Sequence, residues 1–128
     1  MKNPKKWSKS WKKSVQPRKQ RAFVRNAPLH VRNKLICAHL SKELREKHKL
    51  RSIRVRKGDK VKVIVGQFRN KIGKVDRIDT KKRKLYITGV EQSKMDGSKA
   101  LYPVHHSNVL ITELDLSDKR RLNEVKEK

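Results

Sequence analysis

Gly66 and Gly73 bracket the basic segment Gln67-Phe68-Arg69-Asn70-Lys71-Ile72, a spacing suited to holding phosphate. Glycine permits positive φ and, without a Cβ, lets backbone N–H groups approach an anion closely, while Arg69 and Lys71 supply charge. The implied chemistry is recognition of a polyanion. Other reactive residue types fall in less telling patterns. Asp59, Asp76 and Asp79 alternate with lysine or arginine and read as surface charges on strands. Cys37, His39 and His48 form no recognised zinc spacing, and a helical Cys-x-His pair directs its members to different faces. His105-His106 has no serine, cysteine or carboxylate nucleophile in an elbow or triad-like setting. The residues therefore predict no enzyme, no metal, no cofactor and no small-molecule substrate.

A hairpin must present those glycines. Val61, Val63 and Val65 alternate with Lys60, Lys62 and Ile64, which gives a strand with one apolar and one mostly cationic face. From residue 54 to 114 the pattern predicts a mostly β unit, a small five-stranded barrel with strands over 60–65, 73–79, 84–88, 100–104 and 109–113. Val75 and Ile78 have opposite parity, so the second strand should carry a bulge. Ahead of it, residues 28–38 read as a short helix with Val31, Leu35 and Ala38 on one stripe. Residues 41–48 read as another, with Ser41 as N-cap and Glu43 in its first turn. Residues 1–26 lack apolar periodicity and are expected to be a disordered, extended arm when free. Residues 117–127 read as a short amphipathic helix bearing Leu122 and Val125. The expected division is a basic arm with short helices (1–53), a barrel (54–114) and a helical tail (115–128).

Charge points the same way. The chain carries 37 Lys+Arg against 12 Asp+Glu, a net +25 over 128 residues, and such a field seeks a polyanion. Residues 1–54 hold 18 basic and 2 acidic groups (+16), residues 55–90 hold 12 and 3 (+9), and residues 91–128 hold 7 and 7 (0). No acidic residue precedes Glu43. With Cys37 alone there is no intrachain disulfide, which fits a reducing compartment. Apolar runs of a few residues fall far short of the ~20 that span a bilayer. Residues 1–14 are acid-free and contain serine but are rich in lysine and poor in aliphatics, unlike a mitochondrial presequence. Arg18, Lys19, Arg21, Arg25 and Arg32, with Phe23 interleaved, suit an RNA backbone: guanidinium groups for phosphates and a ring for stacking worth ~1–3 kcal/mol per base. Phe23 reads equally as an anchor for the arm. Trp7 and Trp11, four apart among lysines and without an aliphatic face, suit an RNA crevice better than a membrane surface.

The hairpin resembles a KOW motif. Outside it, Arg18-Lys19-Gln20-Arg21, Asn26-Ala27-Pro28-Leu29-His30, Leu40-Ser41-Lys42-Glu43-Leu44-Arg45-Glu46-Lys47, Val55-Arg56-Lys57-Gly58-Asp59, Asp96-Gly97 and His105-His106-Ser107-Asn108-Val109 narrow the likeness. Over residues 14–122 the chain resembles the universal large-subunit ribosomal protein family numbered twenty-four, twenty-six in the eukaryotic scheme, in its archaeal and eukaryotic form. Two positions depart from the usual pattern. Asn70 stands where glycine is usual, and asparagine is the residue best able to take its place in the left-handed region. His106 stands where proline follows the first histidine, which bears on the rigidity of the loop before the last strand. Residues 1–13 match nothing in the family.

The resemblance implies an SH3-like barrel, ribosomal RNA and neighbouring ribosomal proteins as partners, and early binding in subunit assembly. It further implies a place near the polypeptide exit tunnel with its associated factors, on cytoplasmic ribosomes, with nucleolar passage in a eukaryote. The RNA-contact set that resemblance and charge imply together is Arg18, Lys19, Arg21, Phe23, Arg25, His30 and Arg32 from the arm, then Arg51, Arg54, Arg56 and Lys57. The hairpin adds Gln67, Phe68, Arg69, Asn70 and Lys71 with turn glycines Gly66 and Gly73, and later loops add Lys81, Lys82, Arg83, His105, Ser107 and Asn108. A KOW-type transcription elongation protein, or another RNA-binding module, is the alternative, but 128 residues leave little room for the further domain such factors usually carry.

Overall fold

In the computed structural model the described residues are 7–122, with Trp11 described by its backbone alone. A 3-10 turn at Lys9–Lys13 leads to helices α1 (Pro17–Asn26) and α2 (Leu29–Leu35), strand β1 (Cys37–Leu40), helix α3 (Lys42–His48) and strand β2 (Ser52–Arg54). Strands β3 (Lys60–Val63), β4 (Ile72–Asp79), β5 (Lys84–Ser93), β6 (Lys99–His105) and β7 (Val109–Glu113) follow, with a 3-10 turn at His106–Asn108 between the last two. One mostly antiparallel sheet of order β2-β1-β7-β3-β4-β5-β6 holds all seven; β1 alone runs parallel to its neighbour β7.

The last five strands lie where hydrophobic alternation placed them, with altered ends. β3 stops at Val63, because Ile64 turns its N–H to the Asn108 carbonyl instead of continuing the ladder. Val65, expected on the apolar face with Val61 and Val63, is consequently 59 % exposed. The register of β4 against β5 shifts between Val75 and Arg77, so both Val75 and Ile78 can turn inward. β5 runs ten residues and pairs with β4 up to Ile87. It breaks step with β6 between Tyr86 and Glu91, where Gly89 sits at φ 87° and bends the strand.

The first third of the chain departs further. Ala38, expected on a helix stripe with Val31 and Leu35, is a strand residue: α2 ends at Leu35, and Cys37–Leu40 joins the sheet edge offered by β7. Ile36, Ala38, Leu40 and Ile53 thus enter the same core as Val61, Val63, Val75, Leu85, Ile87 and Ile111, and the sheet crosses the expected 53/54 boundary. Residues 17–26, expected to be disordered, form α1. Pro17 starts the helix with a preset φ and Pro28 follows its end. Phe23 packs beneath Trp7 with ring centres 5.1 Å apart, and the Trp7 indole N–H donates to the Phe23 carbonyl at 3.1 Å. Gln20 donates from its amide to the carbonyls of Lys12 and Ser14, fastening the first turn to α1. α3 starts as expected, the Ser41 hydroxyl accepting from the Leu44 N–H at 3.4 Å. Of the tail helix expected over 117–127, residues 120–122 are helical and the rest lies outside the described residues.

Candidate nucleic-acid interface

The loop joining β3 to β4 is closed by backbone bonds from Asn70 N–H to the Val63 carbonyl (2.8 Å) and from Val63 N–H to the Lys71 carbonyl (2.9 Å). Gly66 at φ 104° and Asn70 at φ 69° make its reversals, so asparagine does occupy the left-handed position. Gln67, Arg69, Asn70 and Lys71 are exposed on it. Two expectations are corrected here. Gly73 is no turn residue: it lies in β4 opposite Val61 with no positive φ, and a Cβ there would stand 2.1 Å from the Thr88 carbonyl oxygen. Phe68 is only 8 % exposed and is part of the core. Its ring lies 4.9 Å from that of Tyr102 with the Lys71 ammonium 5.0 Å above it, so it anchors the loop and offers no open face to a base.

Behind the loop, Asn108 and His105 border a groove of about 130 Å³ shared with Gly66, Gln67, Phe68, Lys84, Tyr102 and Pro103. The His105 Nδ1 accepts from the Ser107 N–H at 3.3 Å and lies 2.7 Å from the Ser107 hydroxyl, which places its proton on Nε2. Its ring centre is 4.2 Å from that of His106. Burial, then His106, Arg83 and Lys84, hold the His105 pKa below the ordinary 6.5. Burial likewise lowers that of His106, helped by Arg83 and opposed by the hydrogen bond to Cys37. Both shifts favour the neutral ring. The His106 Nδ1–H donates to the Cys37 carbonyl at 2.8 Å, so the residue standing in place of proline ties the loop to β1. Its buried Nε2 has no partner among the described residues.

A larger cleft of about 510 Å³ opens between the two N-terminal helices and the β4–β5 turn. Arg21 and Arg25 from α1, Arg32 from α2 and Lys81, Lys82 and Arg83 from the turn line it with Gln20 and Val24. No carboxylate is among these lining residues. The Arg32 guanidinium donates to the Arg25 carbonyl, fastening α2 to the end of α1. The turn is held by the Lys82 N–H on Asp79 Oδ1 at 3.0 Å, with Arg83 at φ 55°. Phe23, on the same helix, is 8 % exposed beneath Trp7 and takes the anchoring role; Trp11's side chain lies outside the described residues.

The remaining expected residues are spread out. Arg18 and Lys19 on α1, His30 on α2, and Arg51, Arg54 and Ser107 are exposed and do not line the cleft. Arg56 and Lys57 precede β3 whereas the loop follows it, and each faces a carboxylate: Arg56 with Asp118 at 2.5 Å, Lys57 with Asp76 at 3.8 Å. Asp59, expected to be a surface charge, is fully buried. Its oxygens receive Arg121 Nη1 and Nη2, both at 2.6 Å, and the N–H groups of Arg56 (2.9 Å) and Asp115 (3.0 Å). The same guanidinium donates to the carbonyls of Asp115 and Arg54. Arg121 carried no signal in the sequence, because a charged residue in a polar tail reads as solvated. Tyr102 and Lys84, which line the groove, were missed because strand alternation does not say which loop folds over a strand. The family model for ribosomal proteins L26 of eukaryotes and L24 of archaea matches residues 14–128.

Proposed function

The chain belongs to the family of ribosomal proteins L26 of eukaryotes and L24 of archaea, and from that premise we propose that it is a non-enzymatic constituent of the large subunit that binds ribosomal RNA. The observation that carries the reading is the cleft in which six cations from α1, α2 and the β4–β5 turn converge with no acid among its lining residues. Six like charges held that close repel one another unless a polyanion neutralises them. Arginine forks suit bidentate phosphate contacts, and displacing counterions from RNA supplies the driving force. The exposed Arg69 and Lys71 of the β3–β4 loop serve the same end, and strands β3–β7 act as the SH3-like, KOW-bearing unit that presents them. The basic N-terminal region passes between RNA segments and holds them together during assembly, near the exit tunnel and beside neighbouring ribosomal proteins and tunnel-associated factors. In a eukaryote the protein passes through the nucleolus before reaching cytoplasmic ribosomes.

Cosedimentation with large subunits and filter binding to large-subunit RNA across a salt series test this. A triple Arg21→Gln, Arg25→Gln, Lys82→Gln variant is expected to weaken binding and lower the log–log salt slope by ~2–3, at ~0.7–0.9 for each phosphate no longer neutralised. An unchanged slope would remove the cleft from the interface.

A further inference from the structure

We infer that the groove behind the β3–β4 loop is a seat for a single unpaired nucleobase of a strand whose phosphates lie in the neighbouring cationic cleft. The inference rests on the RNA-binding reading above. At about 130 Å³ the groove is well below the ~300–1,000 Å³ of sites that enclose whole small ligands, and its occupant is one compact ring. Its walls suit a flat apolar face: the half-buried Tyr102 ring, braced by Phe68, with Val65 and Pro103. Its rim suits a polar edge. The Gln67 amide is exposed and makes no hydrogen bond among the described residues, Asn108 brings a second amide, and His105 keeps Nε2–H as a donor. Gly66 borders the groove with open space beside it, since nothing lies within 4 Å of where its Cβ would be. Unstacked bases in loops and bulges are what proteins read in RNA, by stacking and by amide contacts to base edges.

Continuity with the cleft supplies the rest. Arg83 lines the cleft and Lys84, the next residue, lines the groove, while Arg83 acts electrostatically on both histidines. A strand can therefore keep its backbone on Arg83 and turn one base toward Tyr102. This differs from phosphate binding because it requires a base and not merely charge.

The test uses the full chain with two probes of equal length and charge, single-stranded oligouridine and the same strand of abasic riboses, at one fixed salt concentration. Oligouridine is expected to bind about 5- to 150-fold more tightly, as a stacked base contributes. Val65→Trp, filling the groove mouth at an exposed position, should bring that ratio close to one. Photocrosslinking with 4-thiouridine should mark Tyr102, His105 or Gln67. Equal affinity for the two strands, a ratio that survives Val65→Trp, or crosslinks confined to the cleft would overturn the inference and leave the RNA-binding reading standing. Failure to bind either strand and large-subunit RNA as well would overturn both.

Discussion

Gly66 and Gly73 use the same missing Cβ in opposite ways. At Gly73 the backbone conformation is ordinary, but β5 crosses so close that a Cβ would meet the Thr88 oxygen at 2.1 Å and Ile87 Cγ2 at 2.8 Å. At Gly66 the space is open and the conformation, φ 104°, is what an L-residue resists. Gly73→Ala is therefore expected to destabilise by about 3 kcal/mol, since two paired strands must separate. Gly66→Ala should cost about 1–2 kcal/mol for the backbone alone. Asn70→Gly should be neutral or slightly stabilising, because φ 69° no longer opposes a side chain. Urea unfolding of the three variants checks the ranking, and a Gly73→Ala protein as stable as Gly66→Ala would contradict it. Local pattern singled out both glycines but assigned both to the turn. The atom that requires Gly73 belongs to another strand, and spacing along one strand carries no trace of it. Asp59 illustrates the same blindness: its neighbours Gly58 and Lys60 suggest solvent, while the group that buries it is Arg121.

Among the elements, long alternating strands were the most legible and short segments near the N-terminus the least. β3, β5 and β7 carry their own period of two, whereas four residues, Cys37 to Leu40, carry too few repeats to be told from the end of a helix. Their state is decided by the open edge of β7. β1 is further secured by the His106–Cys37 bond, which spans 69 residues and joins the loop before β7 to the strand beside it. The burial of His105 and His106 gives a pH dependence, which the Cys37 bond opposes at His106. The folded pKa of both histidines lies below the ordinary 6.5, so as pH falls below about 6.5 the unfolded chain takes up protons first and the folded state loses stability. Above about 6.5 this contribution is complete. Thermal unfolding between about pH 7.5 and 5 should show the midpoint falling toward acid, and His106→Asn, which keeps an N–H for the Cys37 carbonyl but cannot titrate, should flatten part of that fall. A parallel curve for the variant would mean that the burial of His106 is not a source of that fall.

Over the whole molecule, the division of charge was plain from composition, while the cleft was not. Arg21 and Lys82 are far apart in sequence and meet only because α1 folds back over the β4–β5 turn. The N-terminal 26 residues carry ten of the 37 basic groups and no acidic one, and none of the described residues among them joins the core of the sheet, Phe23 packing locally with Trp7. Deleting residues 1–26 should therefore leave the sheet folded and sharply lower RNA affinity. If five of the ten meet phosphates, the log–log salt slope falls by ~3.5 at the single-strand coefficient and ~4.5 at the duplex one. Circular dichroism confirms the fold and a salt titration measures the slope; a full-length slope from the truncated protein would mean that the N-terminal charges face solvent.

The clamp between Asp59 and Arg121 also sets an order of events during synthesis. Asp59 leaves the translating ribosome 62 residues ahead of the guanidinium that makes its burial tolerable. A buried carboxylate robbed of its partner costs about 3–5 kcal/mol, a large share of a small domain's total. A chain that ends before Arg121 is therefore expected to be less stable by about that amount, although the seven strands of the described residues are complete by Glu113. Limited proteolysis of a chain ending at residue 120 should therefore proceed faster than that of the full chain, and equal rates would mean that Asp59 tolerates the loss of its partner.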